Sequence, residues 1–191
     1  MNVVLASASK RRQELLERLI DKFQILTSDF DEETVHFGGS CSEYVMNLSF
    51  EKANNVAEKL KEAAIVIGCD TIVAFEGIIL GKPKDYDDAF RMLKMLSGKD
   101  HQVYSGVTLI NTETKKVKQD FVLTEVKFSE LSHEEIKKYI KSGEPMDKAG
   151  SYGIQGLGGV FVEGIHGCYY NVVGLPLNKL KNMLMGMGVN L

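Results

Sequence analysis

Apolar residues along the chain follow two rhythms. Short β-branched runs mark strands, and stripes at the 3.6-residue period mark helices. The longest weakly charged stretch runs from Ile65 to Pro83, IVIGCDTIVAFEGIILGKP. Within it, Ile65-Val66-Ile67 and Ile72-Val73-Ala74-Phe75 read as strands buried on both faces. Asp70 and Thr71 form an acidic junction between the two runs. Glu76-Gly77 makes a turn, and Ile78-Ile79-Leu80 returns as the second arm of a hairpin that closes on Gly81-Lys82-Pro83.

The same reading extends to the rest of the chain. Val3-Val4-Leu5 is a short strand, and the loop Ala6-Ser7-Ala8-Ser9 leads into a helix with Leu15, Leu16, Leu19 and Ile20 inward. Phe23 to Thr27 alternates like a strand. Ser40 with Glu43 fits a capping box that opens a helix of about 20 residues to Glu62, with Tyr44, Val45, Leu48, Val56 and Leu60 as its stripe. Asp85 caps a helix through Ala89, Met92, Leu93 and Leu96, ended by Gly98. His101–Thr112 and Lys116–Phe128 are long strands joined by a polar turn, hence an antiparallel pair. Ser132 with Glu135 opens a helix carrying Ile136, Tyr139 and Ile140, and Gly143 ends it. Five glycines then follow Lys148 in EPMDKAGSYGIQGLGG, a density that demands sharp bends or close approach. Val160–Val162 and Cys168–Val173 read as final strands, and Leu175-Pro176 starts a last helix. Parallel-type strand–helix units beside an antiparallel hairpin predict a mixed α/β sheet in a single domain over residues 1–191.

Composition narrows the partners. A chain of 191 residues suits one domain or two tightly joined lobes. Its net charge of −3 supplies no global basic field for nucleic acid, so a phosphate-bearing partner needs a local basic cluster. The cysteines Cys41, Cys69 and Cys168 are odd in number and far apart, against a disulfide framework or a zinc site. The N-terminus lacks a signal-peptide pattern and no apolar run approaches the roughly 18 residues of a span, so the expectation is a cytoplasmic protein without membrane contact.

Several charged residues are candidates for chemistry. An acid among buried strands, as at Asp70, is costly unless it is paired or binds a cation; a solvated strand end is the alternative. Arg11 and Arg12 at a helix start oppose the helix dipole, which makes sense if an anion binds there and otherwise leaves them as surface arginines. The acidic run Ser28–Glu33 is either a solvated face or a source of oxygen ligands for Mg²⁺. Lys52, by periodicity alone, is a surface lysine, and His101 a packed or surface histidine. Conventional nucleotide motifs are absent. Gly77–Lys82 is one residue short of a P-loop, with Pro83 where Ser or Thr would hold Mg²⁺. No GxGxxG, GxSxG or HExxH pattern fits. Basic residues at 11–12, 52 and 82 and acids at 29–33 and 70 together suit metal-assisted chemistry on a phosphate chain.

Taken jointly, these segments resemble the Maf family of nucleoside triphosphate pyrophosphatases, once described as septum-formation inhibitors. The resemblance rests on LASASKRRQELL at 5–16, SDFDEE at 28–33, EKA at 51–53, GCDTIV at 68–73, GKP at 81–83, LSGKDHQV at 96–103, SGEPMDKAGSYGIQG at 142–156 and NVVGLPL at 171–177. The one departure is Lys10, where family members often carry proline. The resemblance implies an α/β fold with a curved mixed β-sheet flanked by helices. It further implies two lobes around a deep cleft, as in the inosine triphosphate pyrophosphatases (a Maf/Ham1-like fold). It implies cleavage of a nucleoside triphosphate to the monophosphate and pyrophosphate with a divalent cation, Mg²⁺ or Mn²⁺. Asp70 matches the family's proton acceptor. Ser7, Arg11, Arg12, Glu32, Lys52 and Lys82 match its polyphosphate site, and by their chemistry Glu32 and Asp70 would be the metal ligands. Arg11, Thr71 and Gln155 match the set that marks a dTTP- and UTP-preferring subfamily. Gln155 carries a donor and an acceptor that suit the imide edge of thymine or uracil, and its flanking glycines would let backbone approach the base. A homodimer is common at this size. The competing reading, from the family's older name, is a non-catalytic nucleotide- or partner-binding regulator of septum formation.

Overall fold

Branched side chains fit a pleated, buried surface, and the branched runs do become strands. The computed structural model describes residues 2–191. In chain order it has β1 (Asn2–Leu5), α1 (Lys10–Leu16), β2 (Gln24–Ile25), a 3₁₀ turn at Glu32–Thr34, α2 (Cys41–Ala57), β3 (Ala64–Phe75), β4 (Ile78–Leu80), α3 (Tyr86–Leu96), β5 (Asp100–Asn111), β6 (Val117–Phe128) and α4 (His133–Lys141). Three 3₁₀ turns follow, at Glu144–Asp147, Ala149–Ser151 and Leu157–Phe161, then β7 (Val162–His166), α5 (Tyr169–Val173) and α6 (Leu177–Met185). Among the described residues no helix is long and apolar enough to cross a membrane.

The strands form one mixed sheet in the order β2-β1-β3-β5-β6-β7, with β4 paired to β3. β1 runs parallel to β2 and β3, and Val3 lies opposite Ile65 and Leu5 opposite Ile67. β4 runs antiparallel to β3 through Glu76-Gly77, both at positive φ (49° and 78°) as a two-residue type I′ turn requires. The fold class expected from the pattern, a mixed α/β sheet with flanking helices, is the one observed.

The chain divides into two compact units. The first holds the described residues up to Asp70 together with Ser105–Val122 and Gly174–Leu191; the second holds Thr71–Tyr104 and Leu123–Val173. Each has its own apolar core. In the first, Val4, Val66 and Ile110 of the strands and Ala6 just after β1 pack with Ala53 and Val56 of α2. In the second, Phe75, Leu93, Phe128, Ile136, Tyr152 and Phe161 are central. There His101 Nε2 and the Tyr152 hydroxyl hydrogen-bond at 2.8 Å, with the imidazole edge-on to Phe128. Burial lowers the His101 pKa to about 4. His101 is therefore a packed, neutral core residue.

Two glycines determine how the first unit assembles. A Cβ on Gly68 would lie 2.1 Å from the Ser49 carbonyl oxygen and 2.7 Å from Ala53 Cβ, and one on Gly106 would lie 2.3 Å from the Val45 carbonyl oxygen. Bare backbone on β3 and β5 lets α2 rest directly on the sheet. The buried Ser49 and Thr108 hydroxyls, 2.8 Å apart, pin the contact. Lys52 is carried into place next to Ala53.

Some elements differ from the pattern reading. β3 is one unbroken strand of 12 residues, so Asp70 lies inside a strand and not at a junction between two. α1 stops at Leu16 because the Leu19 and Ile20 amides both return to the Leu16 carbonyl. α2 ends at Ala57 in a tightened last turn, short of Glu62. Val160 and Phe161 belong to a 3₁₀ turn, and only Val162 starts a strand. Cys168–Val173 is not a strand: Tyr169–Val173 is a helix. A tertiary anchor overrides its β-rich composition. The buried Asn171 Nδ2 donates to the Val103 carbonyl and to Thr124 Oγ1, both at 2.9 Å, and Thr124 also exchanges bonds with both Cys168 backbone groups.

Gly68→Ala will force α2 off β3 and cost about 1–3 kcal/mol, the usual range for overpacking. A lowered urea midpoint at an unchanged m-value checks this; an unchanged midpoint refutes it.

Candidate active site

The turn between β1 and α1 is built on Ser7. Its buried hydroxyl accepts from the Ser9 N–H at 3.2 Å and from Arg12 Nη1 at 3.4 Å, while Gln13 Nε2 donates to the Ser7 carbonyl at 3.4 Å. Ser9 occupies the N-cap position of α1 without a side-chain cap bond. Arg12 Nε donates to the Gly174 carbonyl at 2.9 Å, a bond across 162 residues that fixes the guanidinium. Arg11 is half-buried on the same turn. The buried Cys69 thiol also donates to the Gly174 carbonyl, at 3.2 Å, and burial raises its pKa, so it is an inert core thiol.

Facing this turn electrostatically is a charged triplet. The Lys52 ammonium contacts Asp70 Oδ1 and also pairs with Glu32 Oε1 at 2.8 Å. The side chains of Lys52 and Asp70 are 13% and 9% exposed, whereas Glu32 is 56% exposed. Lys52 is therefore a largely buried bridging cation and not the surface lysine that periodicity suggests. Burial works against its charge, but Asp70 and Glu32 outweigh burial and raise its pKa. Burial also pushes the Asp70 carboxyl up, and the Lys52 and Arg12 charges pull it back only in part. An acid held above the ordinary aspartate range and beside cations is suited to take a proton.

The acidic run sorts itself by partner. Asp31 caps the Glu33 N–H at 3.1 Å, Asp29 pairs with Lys59, and Glu32 is the acid that turns to Lys52. Two carboxylates thus converge on one cation. Among the described residues no group of three or more His, Cys, Asp or Glu side chains is placed to hold a metal ion. Two carboxylates without further protein ligands match the habit of Mg²⁺, which takes one or two and completes its octahedron with water and substrate phosphate. Asp70 and Glu32 are the two carboxylates here that could hold a divalent cation.

Of the residues singled out in the sequence, the first unit brings together Ser7, Arg12, Glu32, Lys52 and Asp70, with Arg11 beside Arg12. Thr71, Lys82 and Gln155 lie in the second unit. Thr71 is half-buried and follows Asp70 on β3, and Lys82 is exposed just after β4. The Gly150 N–H donates to the Gly81 carbonyl at 3.1 Å, so the Lys82 loop and the glycine-rich segment are joined. Gln155 is exposed on the turn Gly153–Gly156, closed by the Gly156 N–H to the Gly153 carbonyl at 3.3 Å. Sequence reasoning missed the Gly174 carbonyl, which has no side-chain signature. It also missed Tyr44, counted there as part of an apolar stripe; burial and the Asp70 and Glu32 charges raise its pKa.

Comparison with known proteins identifies the family. The model of the Maf-like protein family matches residues 2–187. A dTTP/UTP pyrophosphatase of Clostridium novyi (strain NT) is 62% identical over 191 residues, covering all of both chains. A dTTP/UTP pyrophosphatase of Clostridium botulinum (strain Okra / Type B1) is 59% identical over 192 residues, covering all of this chain and 99% of the relative. Among solved structures, the Staphylococcus aureus Ham1 protein superposes with a TM-score of 0.53 at 15% identity, over 98% of this chain and 100% of that one, a likeness of fold. With a family model that spans nearly its full length and relatives this similar from end to end, the chain belongs to the Maf family.

Proposed function

We propose that the chain hydrolyses nucleoside triphosphates, dTTP and UTP foremost, to the monophosphate and pyrophosphate. The observation that carries this reading is the buried Asp70 carboxylate gripped by Lys52 beside Glu32, in a chain whose full-length relatives bear the name dTTP/UTP pyrophosphatase. A pure binder of an anionic nucleotide gains nothing from a buried acid close to the phosphates.

The roles follow from charge and position. Water attacks the α-phosphorus, its proton passes to Asp70, and the bond from the α-phosphorus to the bridging oxygen breaks to release pyrophosphate. Arg11, Arg12 and Lys52 offset the charge that grows on the leaving group, and Lys82 is the further phosphate ligand that the family motif implies. Ser7 holds Arg12 in orientation. A divalent cation, Mg²⁺ or Mn²⁺, held by Asp70 and Glu32 supplies further neutralisation of the phosphate oxygens when bound. Thr71, Gln155 and Arg11 select the base, with the Gln155 amide meeting the imide edge of thymine or uracil.

Purified protein with Mg²⁺ or Mn²⁺ will release pyrophosphate from dTTP, resolved from orthophosphate by ion chromatography; orthophosphate alone sinks the proposal. Asp70→Asn will lower kcat by on the order of 10²-fold or more, as loss of a general base does. In the unsubstituted protein kcat/KM will rise with pH through an inflection above the ordinary aspartate value, because the base must be ionised and burial raises its pKa.

Lys52→Met leaves the buried Asp70 without its counter-charge. Removing one partner of a buried pair costs about 3–5 kcal/mol. The variant lets Asp70 keep its proton to higher pH, so the loss of stability will be small near pH 5 and grow towards pH 8. Urea unfolding at both values measures it, and a pH-independent loss contradicts the pairing.

A further inference from the structure

Glu144 follows Gly143, which leaves α4 at φ +76°, and turns its side chain back over the glycine-rich segment. Oε2 accepts the Leu157 N–H at 2.8 Å. Oε1 accepts the Gly158 N–H at 3.2 Å and the Tyr139 hydroxyl at 2.9 Å. The same Tyr139 oxygen accepts the Gly153 N–H at 3.2 Å. One carboxylate and one phenol thus hold both flanks of the turn Gly153–Gly156 that exposes Gln155.

The glycines here are room for the clamp. A Cβ on Gly156 would lie 2.4 Å from Glu144 Oε2, and one on Gly153 would lie 2.6 Å from Lys148 Cε. The Lys148 ammonium in turn donates to the Glu144 carbonyl at 2.8 Å. Partial burial opposes the Glu144 charge, but the Leu157 and Gly158 amides and the Tyr139 hydroxyl outweigh it and keep the carboxyl below its usual range. Burial and the nearby carboxylate push the Tyr139 phenol up, so it stays a donor. Without such a clamp, five glycines in one short segment would leave many backbone states open.

We propose that Glu144 is a positioning residue for base selection, which holds the Gly153–Gly156 turn so that Gln155 meets a pyrimidine edge from one fixed backbone. This rests on the proposed reading of Gln155. The chemistry needs such a mount. An amide carries a donor and an acceptor side by side, and a mobile one can turn over to meet cytosine, whose pattern is reversed relative to thymine and uracil. A held turn sets the amide against the base edge from one position, whereas a loose one lets it shift as well as turn over to suit either base.

The test compares kcat and KM for dTTP and dCTP in the unsubstituted protein, Glu144→Ala, Glu144→Gln and Gln155→Ala. Glu144→Ala will raise KM for dTTP by about 10-fold with kcat changed far less, and the dTTP/dCTP ratio of kcat/KM will fall by at least about 5-fold. Gln155→Ala will lower the ratio similarly, and the double variant will lower it no further, since both act through one element. Glu144→Gln keeps the shape but turns one acceptor into a donor, so it will show a partial loss and serves if the alanine variant does not fold. An equal loss on both nucleotides, or a preserved ratio in a folded variant, overturns the assignment alone. Unsubstituted protein with no preference for dTTP overturns the reading of Gln155 and this assignment with it.

Discussion

A carboxylate in the middle of a buried strand is the constraint on which the first unit is built. Taken alone, Asp70 would be expensive to ionise in β3, since a charge withdrawn from water must be matched close by. The match is Lys52, and Lys52 can reach only because α2 lies in backbone contact with the sheet over Gly68 and Gly106. Glu32 shares the same ammonium from the solvent side, and Ser7 and the Gly174 carbonyl hold Arg12. Remove the side chain from one strand position, and a helix, a lysine and an acid come into register. The pair adds little net stability, for buried ion pairs are often matched by apolar packing; its presence fits a site that needs a proton acceptor beside cations.

The glycine-rich segment follows a related logic. Its glycines would serve flexibility in a free loop. Here two of them leave space that Glu144 and Lys148 occupy, so the absent side chains make the turn better defined. Beside the proposed approach of backbone to a base, these glycines give room for a clamp. Gly150 contributes a third close fit, against Val73, and its amide ties the segment to the loop that carries Lys82.

Local physics made much of the fold legible. Glu76-Gly77 between two branched runs is a type I′ signal, and the hairpin forms there. Ser132 and Glu135 form a reciprocal capping box, and Asp85 caps the Asp88 amide at 2.8 Å. These features depend on neighbours in sequence, so composition and spacing suffice. The failures share the opposite property. Val172 and Val173 have strand propensity but sit in a helix, because a buried Asn171–Thr124 network spanning more than 40 positions outweighs a preference of a few tenths of a kcal/mol per residue. The lysine at position 52 has the spacing of an exposed helix position and lies buried, because neither Asp70 nor Gly68 is visible from the periodicity of α2.

For the candidate site, the sequence by itself determined the residue types: a set of cations, two useful acids, an amide on a turn, and motifs whose joint order resembles one family. It determined the strands and caps that carry them, since those rest on contacts a few residues apart. Tertiary structure alone decided which acid of the 28–33 run faces the site, that Asp70 lies inside a strand, that a backbone carbonyl at Gly174 orients Arg12, and that Glu144 clamps the turn bearing Gln155. Each of these is a long-range meeting of a charge or a backbone group with its partner. Their energies come from desolvation and from distances that no spacing along the chain encodes.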